Sequence, residues 1–223
     1  MIKICEVAYR RPGMGVADFQ AYWLGVHGPI IARIPGVRRY VQCHPNLSGY
    51  GKGELICDGV AEIWVDDKEA LRAVTATVEF AAAKRDEPNF IDVGRLVELL
   101  TSETVIKDGR VPANGVKSIS LLKFKSGMDP AEAQNHWRRT HGPIAAEIET
   151  LRRYVQCPAR LGAYGRPVPP VFDGLAMAWF DSVGHMRQSA RSDAYARTKA
   201  DEENFLEPGR IGSIITREHV IIG

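Results

Sequence analysis

Residues Arg38–Cys43 read RRYVQC, and the same six residues return unchanged at Arg152–Cys157. A second motif precedes each copy, since Trp23-x3-His27-Gly28-Pro29-Ile30 recurs as Trp137-x3-His141-Gly142-Pro143-Ile144. Both motifs repeat at the same separation of 114 residues. An internal repeat of domain length indicates that one folding unit occurs twice in the 223-residue chain.

The repeat continues beyond these motifs at a separation of 115 residues, where Asp58-Gly59 matches Asp173-Gly174. The extra residue falls in the Gly- and Asn-rich segment between the two matching regions, and surface loops tolerate such insertions. Residues 107–115 read KDGRVPANG, which is the composition of a linker. We therefore predict two domains, residues 1–109 and residues 110–223.

The pattern of apolar residues predicts the same six elements in each copy. In the first copy they are a strand from Ile2 to Arg10, a helix from Asp18 to Val26, strands from Val37 to Cys43 and from Val60 to Val65, a helix from Asp67 to Lys84, and a strand from Leu96 to Ile106. Gly28-Pro29 is expected to end the first helix, and a short helix is expected to follow from Pro29 to Ile34. The order βαββαβ is that of the ferredoxin-like split βαβ fold.

A ferredoxin-like sheet carries helices on one face only, so its other face needs a cover. The second copy in the same chain can supply that cover. We therefore predict an α+β fold in which two ferredoxin-like βαββαβ repeats pack sheet to sheet as a pseudo-dimeric α+β barrel. A chain that covers its own sheets can be a monomer, and the sequence is also compatible with a homodimer of whole chains.

The composition is that of a globular protein, with 45% hydrophobic residues, 25% charged residues and a net charge of +2. It excludes intrinsic disorder, and no apolar stretch approaches the roughly 18 residues of a membrane helix. Basic residues alternate with acidic ones, which argues against nucleic-acid binding. The four cysteines are widely spaced and no export signal precedes them, so we expect reduced thiols and a cytoplasmic location.

Four segments resemble the EthD family of the dimeric α+β barrel superfamily. They are Arg11–Met14, Trp23–Pro29, Arg38–Gln42 and Asp58–Trp64, and each returns in the second copy with some changes. The resemblance implies the ferredoxin-like fold. It also implies a range of activities, since related members act as cofactor-free isomerases of lactones, as polyketide cyclases, and as decarboxylases or dehydratases. Other members of the wider superfamily bind haem.

His27 and His141 are the first catalytic candidates. Each follows a tryptophan by four residues, so indole and imidazole share one helix face. Each is expected at a helix C-terminus, where the helix dipole favours the imidazolium while burial favours the neutral ring. A histidine balanced in this way can donate or accept a proton near neutral pH. The structural alternative is that the imidazole caps terminal carbonyls and holds the Gly-Pro turn.

Glu62 is a further catalytic candidate, because it is the lone carboxylate in an apolar strand and therefore needs a partner or a proton. In the functional interpretation its partner is His27. In the structural interpretation it forms an ion pair with Arg38 or Arg39 on the neighbouring strand. The second copy has Met177 at this position, so the two copies are not equivalent if Glu62 is catalytic.

Aromatic and polar residues near these groups are candidates for binding a substrate. Tyr40, also a catalytic candidate, can donate a hydrogen bond to a carbonyl oxygen or pack with its hydroxyl at the pocket rim. Trp23 is expected to form an apolar wall. For Asp58, which precedes Gly59, the structural alternative is a turn, because Asp-Gly is a common turn signal. The other substrate-binding candidates are His44, Asp58, Tyr50, Tyr154 and Trp137.

The sequence contains no glycine-rich phosphate loop, no G-x-S-x-G elbow and no dinucleotide fingerprint. Cys43, His44 and Cys57 lack a regular ligand spacing, so we expect no metal and no cofactor. The predicted function is a cofactor-independent lyase or isomerase, acting by dehydration, decarboxylation, cyclisation or proton transfer on a small aromatic, lactone or polyketide-like compound. The alternative is a non-catalytic protein that binds an apolar metabolite, or haem through His27 or His141.

Overall fold

Two compact units make up the computed structural model, which describes residues 1–209 and 212–223. Unit 1 contains Met1–Leu100 and Thr216–Gly223, and unit 2 contains Thr101–Ile215. Unit 1 is therefore built from most of the first repeat together with the last segment of the second.

Unit 1 has the predicted βαββαβ order, and unit 2 repeats it. The predicted tandem repeat of a domain with both helices and strands is thereby confirmed. Its elements are β1 (Ile2–Ala8), α1 (Val16–Tyr22), a π-helical turn (Trp23–His27), α2 (Gly28–Ile31), β2 (Arg39–Pro45), a 3-10 helix (Leu47–Lys52), β3 (Gly59–Val65), α3 (Lys68–Thr75), α4 (Val78–Asp86), a 3-10 turn (Glu87–Asn89) and β4 (Val97–Thr101). The strand order is β4-β1-β3-β2, followed by the C-terminal part of the chain's last strand. Both β1 and β2 pair antiparallel with β3, and Glu6 stands opposite Ala61.

Unit 2 repeats this arrangement. Its elements are β5 (Thr104–Lys107), β6 (Val116–Leu122), α5 (Pro130–His136), a π-helical turn (Trp137–His141), α6 (Gly142–Ala146), β7 (Leu151–Pro158), a 3-10 turn (Leu161–Ala163), β8 (Gly174–Phe180), α7 (Val183–Ser189), α8 (Asp193–Phe205) and the first part of β9 (Gly212–Ile222). Its strand order is β9-β6-β8-β7-β5. Across the described residues, none of the helices has both the length and the apolar character needed to span a membrane.

The first helix does not end at Gly28-Pro29, and this corrects the prediction. α1 passes into the π-helical turn and then into α2 without leaving the helical region, since Gly28 has φ −54° and ψ −51°. The Gly28 N–H donates to the carbonyl of Trp23, five residues earlier. Pro29 is the second residue of α2, and proline is tolerated in the first turn of a helix. His27 therefore lies inside a continuous helical segment and does not cap its end.

Two further predicted elements are each divided in two. The helix expected from Asp67 to Lys84 is broken before α4, because the Thr77 hydroxyl caps α4 by accepting from the Phe80 N–H at 3.1 Å. The strand expected from Leu96 to Ile106 is divided into β4, which lies beside β1, and β5, which pairs with β7. In the second repeat the equivalent strand, β9, is continuous over 11 residues.

The core of unit 1 contains a close contact between an indole ring and a strand glycine. Trp23 is only 1% exposed and belongs to the apolar cluster that joins the helices to the sheet. A Cβ built on Gly59 would overlap Cζ3 of Trp23 and would lie 3.0 Å from the Cys43 carbonyl oxygen. Only glycine fits here without moving the tryptophan.

Gly59→Ala should therefore lower the free energy of unfolding by about 1–3 kcal/mol, because it overpacks a rigid site. Chemical denaturation of the wild type and the variant measures this loss. Gly51→Ala is the matched control, since no atom lies within 4 Å of the Cβ it would add, and its effect should stay within about 0.5 kcal/mol. Equal losses in the two variants would contradict the packing argument.

Candidate active site

A cavity of about 190 Å³ lies inside unit 1, between one face of the sheet and the helices that cover it. Its apolar wall comes from β1, β3, β4 and the helices α2, α3 and α4. Among the residues of this wall are Ile4, Ile31, Ile63, Val74, Phe80 and Leu100. The cavity is large enough for one aromatic ring, since an apolar cavity of about 150 Å³ can bind benzene.

Four charged side chains interrupt the apolar wall: Glu6 of β1, Lys84 of α4, Glu87 of the following turn and Glu98 of β4. Lys84 Nζ lies 2.9 Å from Glu87 Oε1 and 2.8 Å from Glu98 Oε1. Burial lowers the pKa of Lys84, but these two hydrogen bonds outweigh burial and raise it overall. Lys84 is therefore an ammonium ion that is held between two carboxylates.

The Glu6 carboxyl carries a proton near neutral pH. Burial raises the pKa of Glu6 to about 8, and the charge of Glu98 adds to this rise, while Lys84 opposes it and Glu87 reinforces it. A carboxyl that is neutral at pH 7 can donate a hydrogen bond or a proton to a ligand in the cavity.

His27 also lines the cavity, and its imidazole is oriented by Asp86. Nδ1 of His27 lies 2.9 Å from Asp86 Oδ2, and the ring is 4.8 Å from the ring of Phe90. Burial lowers the pKa of His27, and the hydrogen bond to Asp86 only partly compensates. The neutral ring donates its Nδ1–H to the carboxylate, which leaves the lone pair on Nε2.

Asp86 is itself fixed by hydrogen bonds. The Tyr22 hydroxyl donates to Oδ1 at 2.7 Å, and the Asn89 amide donates to the same oxygen at 3.0 Å. Burial raises the pKa of Asp86, but the hydrogen bonds from Tyr22, Asn89 and His27 together lower it. The carboxylate therefore stays charged and holds the imidazole in one tautomer.

Glu6 and His27 thus present complementary proton states to one apolar cavity. Burial disfavours the charged form of each group, so the Glu6 carboxyl keeps its proton and the His27 imidazole stays neutral. A proton donor and a proton acceptor with pKa values displaced in opposite directions are typical of acid–base catalysis.

A family model for the EthD domain matches the chain twice, over residues 11–94 and 125–209. The chain belongs to the EthD family. The family expected from the sequence is thereby confirmed, and each match falls entirely within one compact unit. No curated protein matches the chain.

Solved structures share the fold of this EthD protein at low sequence identity. An anthrone oxidase-like protein has a TM-score of 0.68 at 10% identity, over 99% of this chain and 92% of that one. A candidate monooxygenase from Lactobacillus acidophilus NCFM has a TM-score of 0.57 at 10% identity, over 98% and 94% of the two chains. A mutant chlorite dismutase from Candidatus Nitrospira defluvii has a TM-score of 0.55 at 8% identity, over 97% and 91%. At these identities the likeness shows the fold alone.

Trp23 and Tyr40 of the first EthD domain form a buried hydrogen-bonded pair and are not among the described residues that line the cavity. The Trp23 Nε1–H donates to the Tyr40 hydroxyl oxygen at 3.0 Å, and the Gln42 amide donates to the same oxygen at 3.2 Å. Burial raises the pKa of Tyr40. The geometry favours the packing interpretation of Tyr40, and the apolar wall expected of Trp23 is supplied by other residues.

Glu62 lies on the face of β3 that points away from the cavity, because it alternates with Ala61 and Ile63 of the helix-covered core. Its carboxylate is 2.7 Å from Lys3 Nζ and accepts from the Cys43 thiol at 3.0 Å. The structure corrects both pairings expected from the sequence. His27 is bonded to Asp86, and Arg38 is bonded to Asp66 at 2.6 Å on the surface.

His44 packs between two other rings of unit 1 and is not among the residues that line the cavity. Its ring centroid is 4.7 Å from that of Trp23 and 4.5 Å from that of His219. Burial lowers the pKa of His44 to about 3, and the neighbouring His219 adds to the effect. His44 is therefore a neutral packing group in this structure.

Asp58 and Tyr50 anchor the loop that precedes β3. The Tyr50 hydroxyl donates to Asp58 Oδ1 at 2.9 Å, and the Arg10 backbone N–H donates to Asp58 Oδ2 at 2.9 Å. The Arg10 guanidinium forms a salt bridge with the same carboxylate. These contacts agree with the turn interpretation of Asp58.

The second EthD domain keeps the histidine–aspartate contact. His141 Nδ1 lies 3.0 Å from Asp201 Oδ2, and His136 Nε2 lies 2.9 Å from Asp201 Oδ1. Burial lowers the pKa of His141 as it does in the first domain. The Trp137 Nε1–H donates to the Tyr154 hydroxyl oxygen at 3.0 Å, so these two residues are held in the same way as Trp23 and Tyr40.

Two of the three carboxyl groups of the cavity, those of Glu6 and Glu98, are not kept in the second domain, whereas Glu202 stands at the position of Glu87. Ser120 stands at the position of Glu6, and Ser213 stands at the position of Glu98. The two hydroxyl oxygens are 2.7 Å apart and bond to each other. The proton donor of the first domain therefore has no carboxyl counterpart in the second.

Sequence reasoning missed Glu6 and Lys84, although a signal for Glu6 is present. Glu6 is the single acid in the apolar strand IKICEVA, and Ser120 replaces it in the second copy. The same two features drew attention to Glu62. Lys84 gives no such signal, because a charged residue near the end of an amphipathic helix is usually solvated.

Proposed function

We propose that the first EthD domain catalyses a proton transfer without a cofactor, as a lyase or isomerase of a small and largely apolar carbonyl compound. Aromatic, lactone and polyketide-like compounds belong to this class. The observation that carries the proposal is that Glu6 and His27 line one apolar cavity, with Asp86 orienting the imidazole. Catalysis is assigned to the first domain because the second has Ser120 in place of Glu6.

The two side chains support a balanced sequence of proton transfers. Nε2 of His27 takes a proton from the carbon next to the substrate carbonyl, while the Glu6 carboxyl gives its proton to the carbonyl oxygen. The product of this step is an enol between an imidazolium and a carboxylate. The imidazolium then returns its proton to a different carbon, or to a leaving group, and Glu6 recovers its proton from the enol oxygen. Asp86 stabilises the imidazolium while it lasts.

The dimensions of the cavity favour a small substrate. About 190 Å³ accommodates a single ring with short substituents. Haem, which the wider superfamily suggests, does not fit this space, because a tetrapyrrole is several times larger than one aromatic ring. The proposed reaction in this cavity therefore does not involve haem.

A thermal-shift screen of phenolic acids, aryl lactones, small polyketides and hemin tests whether the cavity binds such a compound. A ligand present at 100 times its Kd should stabilise the wild type by about 2.7 kcal/mol. Ala83→Leu narrows the cavity, since Ala83 lines it, and should abolish the shift. Thr198→Leu, at the equivalent position of the second domain, should keep it.

The proposal fails if no compound stabilises the wild type, or if a shift persists unchanged in Ala83→Leu. A shift with hemin alone would favour the binding protein over the enzyme. Compounds that pass the screen are then assayed for turnover by following their loss and the appearance of product.

A further inference from the structure

A second cavity, of about 520 Å³, opens in unit 2 beside α5. Its lining comes from α5, the π-helical turn that follows α5, the strands β5 and β7, and the turn after β7. This volume lies within the range of about 300–1,000 Å³ that is typical of small-molecule sites. None of these lining residues belongs to the candidate active site, so the inference does not depend on the proposed function.

The described lining of this cavity contains two arginines, Arg138 and Arg160, and no acidic residue. Arg160 Nη1 is buried and, among the described residues, has no hydrogen-bond partner. A buried guanidinium nitrogen without an acceptor costs free energy, and an anion in the cavity would supply that acceptor when the Arg160 side chain turns towards it. Arg138 presents a second positive charge to the same space from the π-helical turn.

The first domain carries neither arginine at the equivalent positions. Asn46 corresponds to Arg160, since each precedes a 3-10 turn with nearly the same backbone angles, φ −61° and ψ 131° against φ −63° and ψ 135°. Leu24 corresponds to Arg138. The positive charge is therefore a property of the second domain and not of the fold.

The space itself is also specific to unit 2. In unit 1 the neighbouring rings of His44 and His219 occupy the equivalent region, with their centroids 4.5 Å apart. Unit 2 has the smaller Pro158 and Thr104 at those positions, and both line the cavity. Replacement of two imidazoles by smaller side chains explains why unit 2 has room for a ligand.

The lining indicates an organic anion in preference to an inorganic one. The cavity is far larger than a phosphate ion needs, and Leu161 and Pro158 offer apolar surface to a carbon skeleton. A guanidinium group matches a planar carboxylate through two parallel hydrogen bonds. We propose that this cavity binds an organic carboxylate, with Arg160 and Arg138 holding the carboxylate and the carbon skeleton lying against Leu161 and Pro158.

Isothermal titration calorimetry with benzoate, benzamide and inorganic phosphate tests this site. Arg160→Asn and Arg138→Leu introduce the residues that the first domain carries, so each is compatible with the fold. Each should raise the Kd for benzoate at least tenfold. Arg139→Leu is the matched control, because Arg139 is exposed and lies outside the described lining, and its Kd should stay within twofold of the wild type. Benzamide, which lacks the charge, should bind at least tenfold more weakly than benzoate.

Three results would overturn the proposal. They are no benzoate binding by the wild type, equal Kd values in the wild type and Arg160→Asn, and binding of phosphate without binding of benzoate. Benzoate bound in the cavity of unit 1 would give the second of these results. Circular dichroism and the Tm of each variant verify folding, and if Arg160→Asn does not fold, the Kd of Arg138→Leu decides.

Discussion

His27→Asn should lower kcat by about 10²–10⁴-fold, which is the usual contribution of a general acid or base, and should leave the Tm nearly unchanged. The asparagine amide can replace Nδ1 as the donor to Asp86, so the hydrogen bond at 2.9 Å is conserved in kind. It has no equivalent of Nε2, the atom that takes the proton. Steady-state kinetics with a compound from the ligand screen, together with the Tm, measure both effects.

His141→Asn is the matched control for this variant. His141 has the same aspartate contact, at 3.0 Å from Asp201, but Ser120 replaces the carboxyl of the first domain. Its kcat should therefore equal that of the wild type. Equal losses in the two variants, or no loss in either, would remove His27 from the proposed mechanism.

Glu6→Gln should lower kcat by a similar factor of about 10²–10⁴ and should change the pH profile. In the wild type, kcat/KM should rise as His27 loses its proton, below its ordinary pKa of 6.5, because burial lowers that pKa. It should fall as Glu6 loses its proton near pH 8. Glutamine cannot ionise, so the fall near pH 8 should be absent from the residual activity of the variant.

Glu98→Gln is the control that tests whether Glu6 causes the fall in kcat/KM near pH 8. The charge of Glu98 raises the pKa of Glu6, so its removal should move the fall in kcat/KM to lower pH without abolishing it. If the fall near pH 8 survives in Glu6→Gln, another group is responsible and Glu6 is not the proton donor.

Glu6 should also make stability depend on pH. Its pKa is raised on folding from 4.5 to about 8, so its contribution to stability is complete below pH 4.5 and is lost as the pH rises through 8. The Tm of the wild type relative to Glu6→Gln should therefore fall over this interval. A constant difference would show that Glu6 ionises normally.

The repeat accounts for most of what the sequence predicts correctly about the fold. The identical segments at Arg38–Cys43 and Arg152–Cys157 became the equivalent strands β2 and β7. Apolar periodicity then identified the neighbouring elements, because a covered face requires one apolar side along each strand or helix. The π-helical turn was not predicted, because a Gly-Pro pair such as Gly28-Pro29 usually ends a helix. The hydrogen bond from the Gly28 N–H to the Trp23 carbonyl leaves no mark in the sequence.

The candidate site shows where such reasoning reaches its limit. Glu6 and Glu62 are both single acids in apolar strands, and both are replaced in the second copy, by Ser120 and Met177. The sequence drew attention to Glu62, whereas the structure places Glu6 in the cavity and pairs Glu62 with Lys3. Alternation predicts that the two faces of a strand differ, but only the packing of the helices on the sheet decides which face they cover.

The composition of unit 1 bears on the order in which the chain folds during synthesis. Unit 2 is one continuous segment, Thr101–Ile215, whereas unit 1 needs Thr216–Gly223 to supply the strand beside β2. The N-terminal unit therefore cannot complete its sheet until the ribosome has added these last residues. Domains usually fold in the order in which they emerge from the ribosome. Here unit 2 has all of its residues before unit 1 does, although unit 1 begins earlier in the chain. The cavity with Glu6 and His27 then belongs to the unit that is finished last.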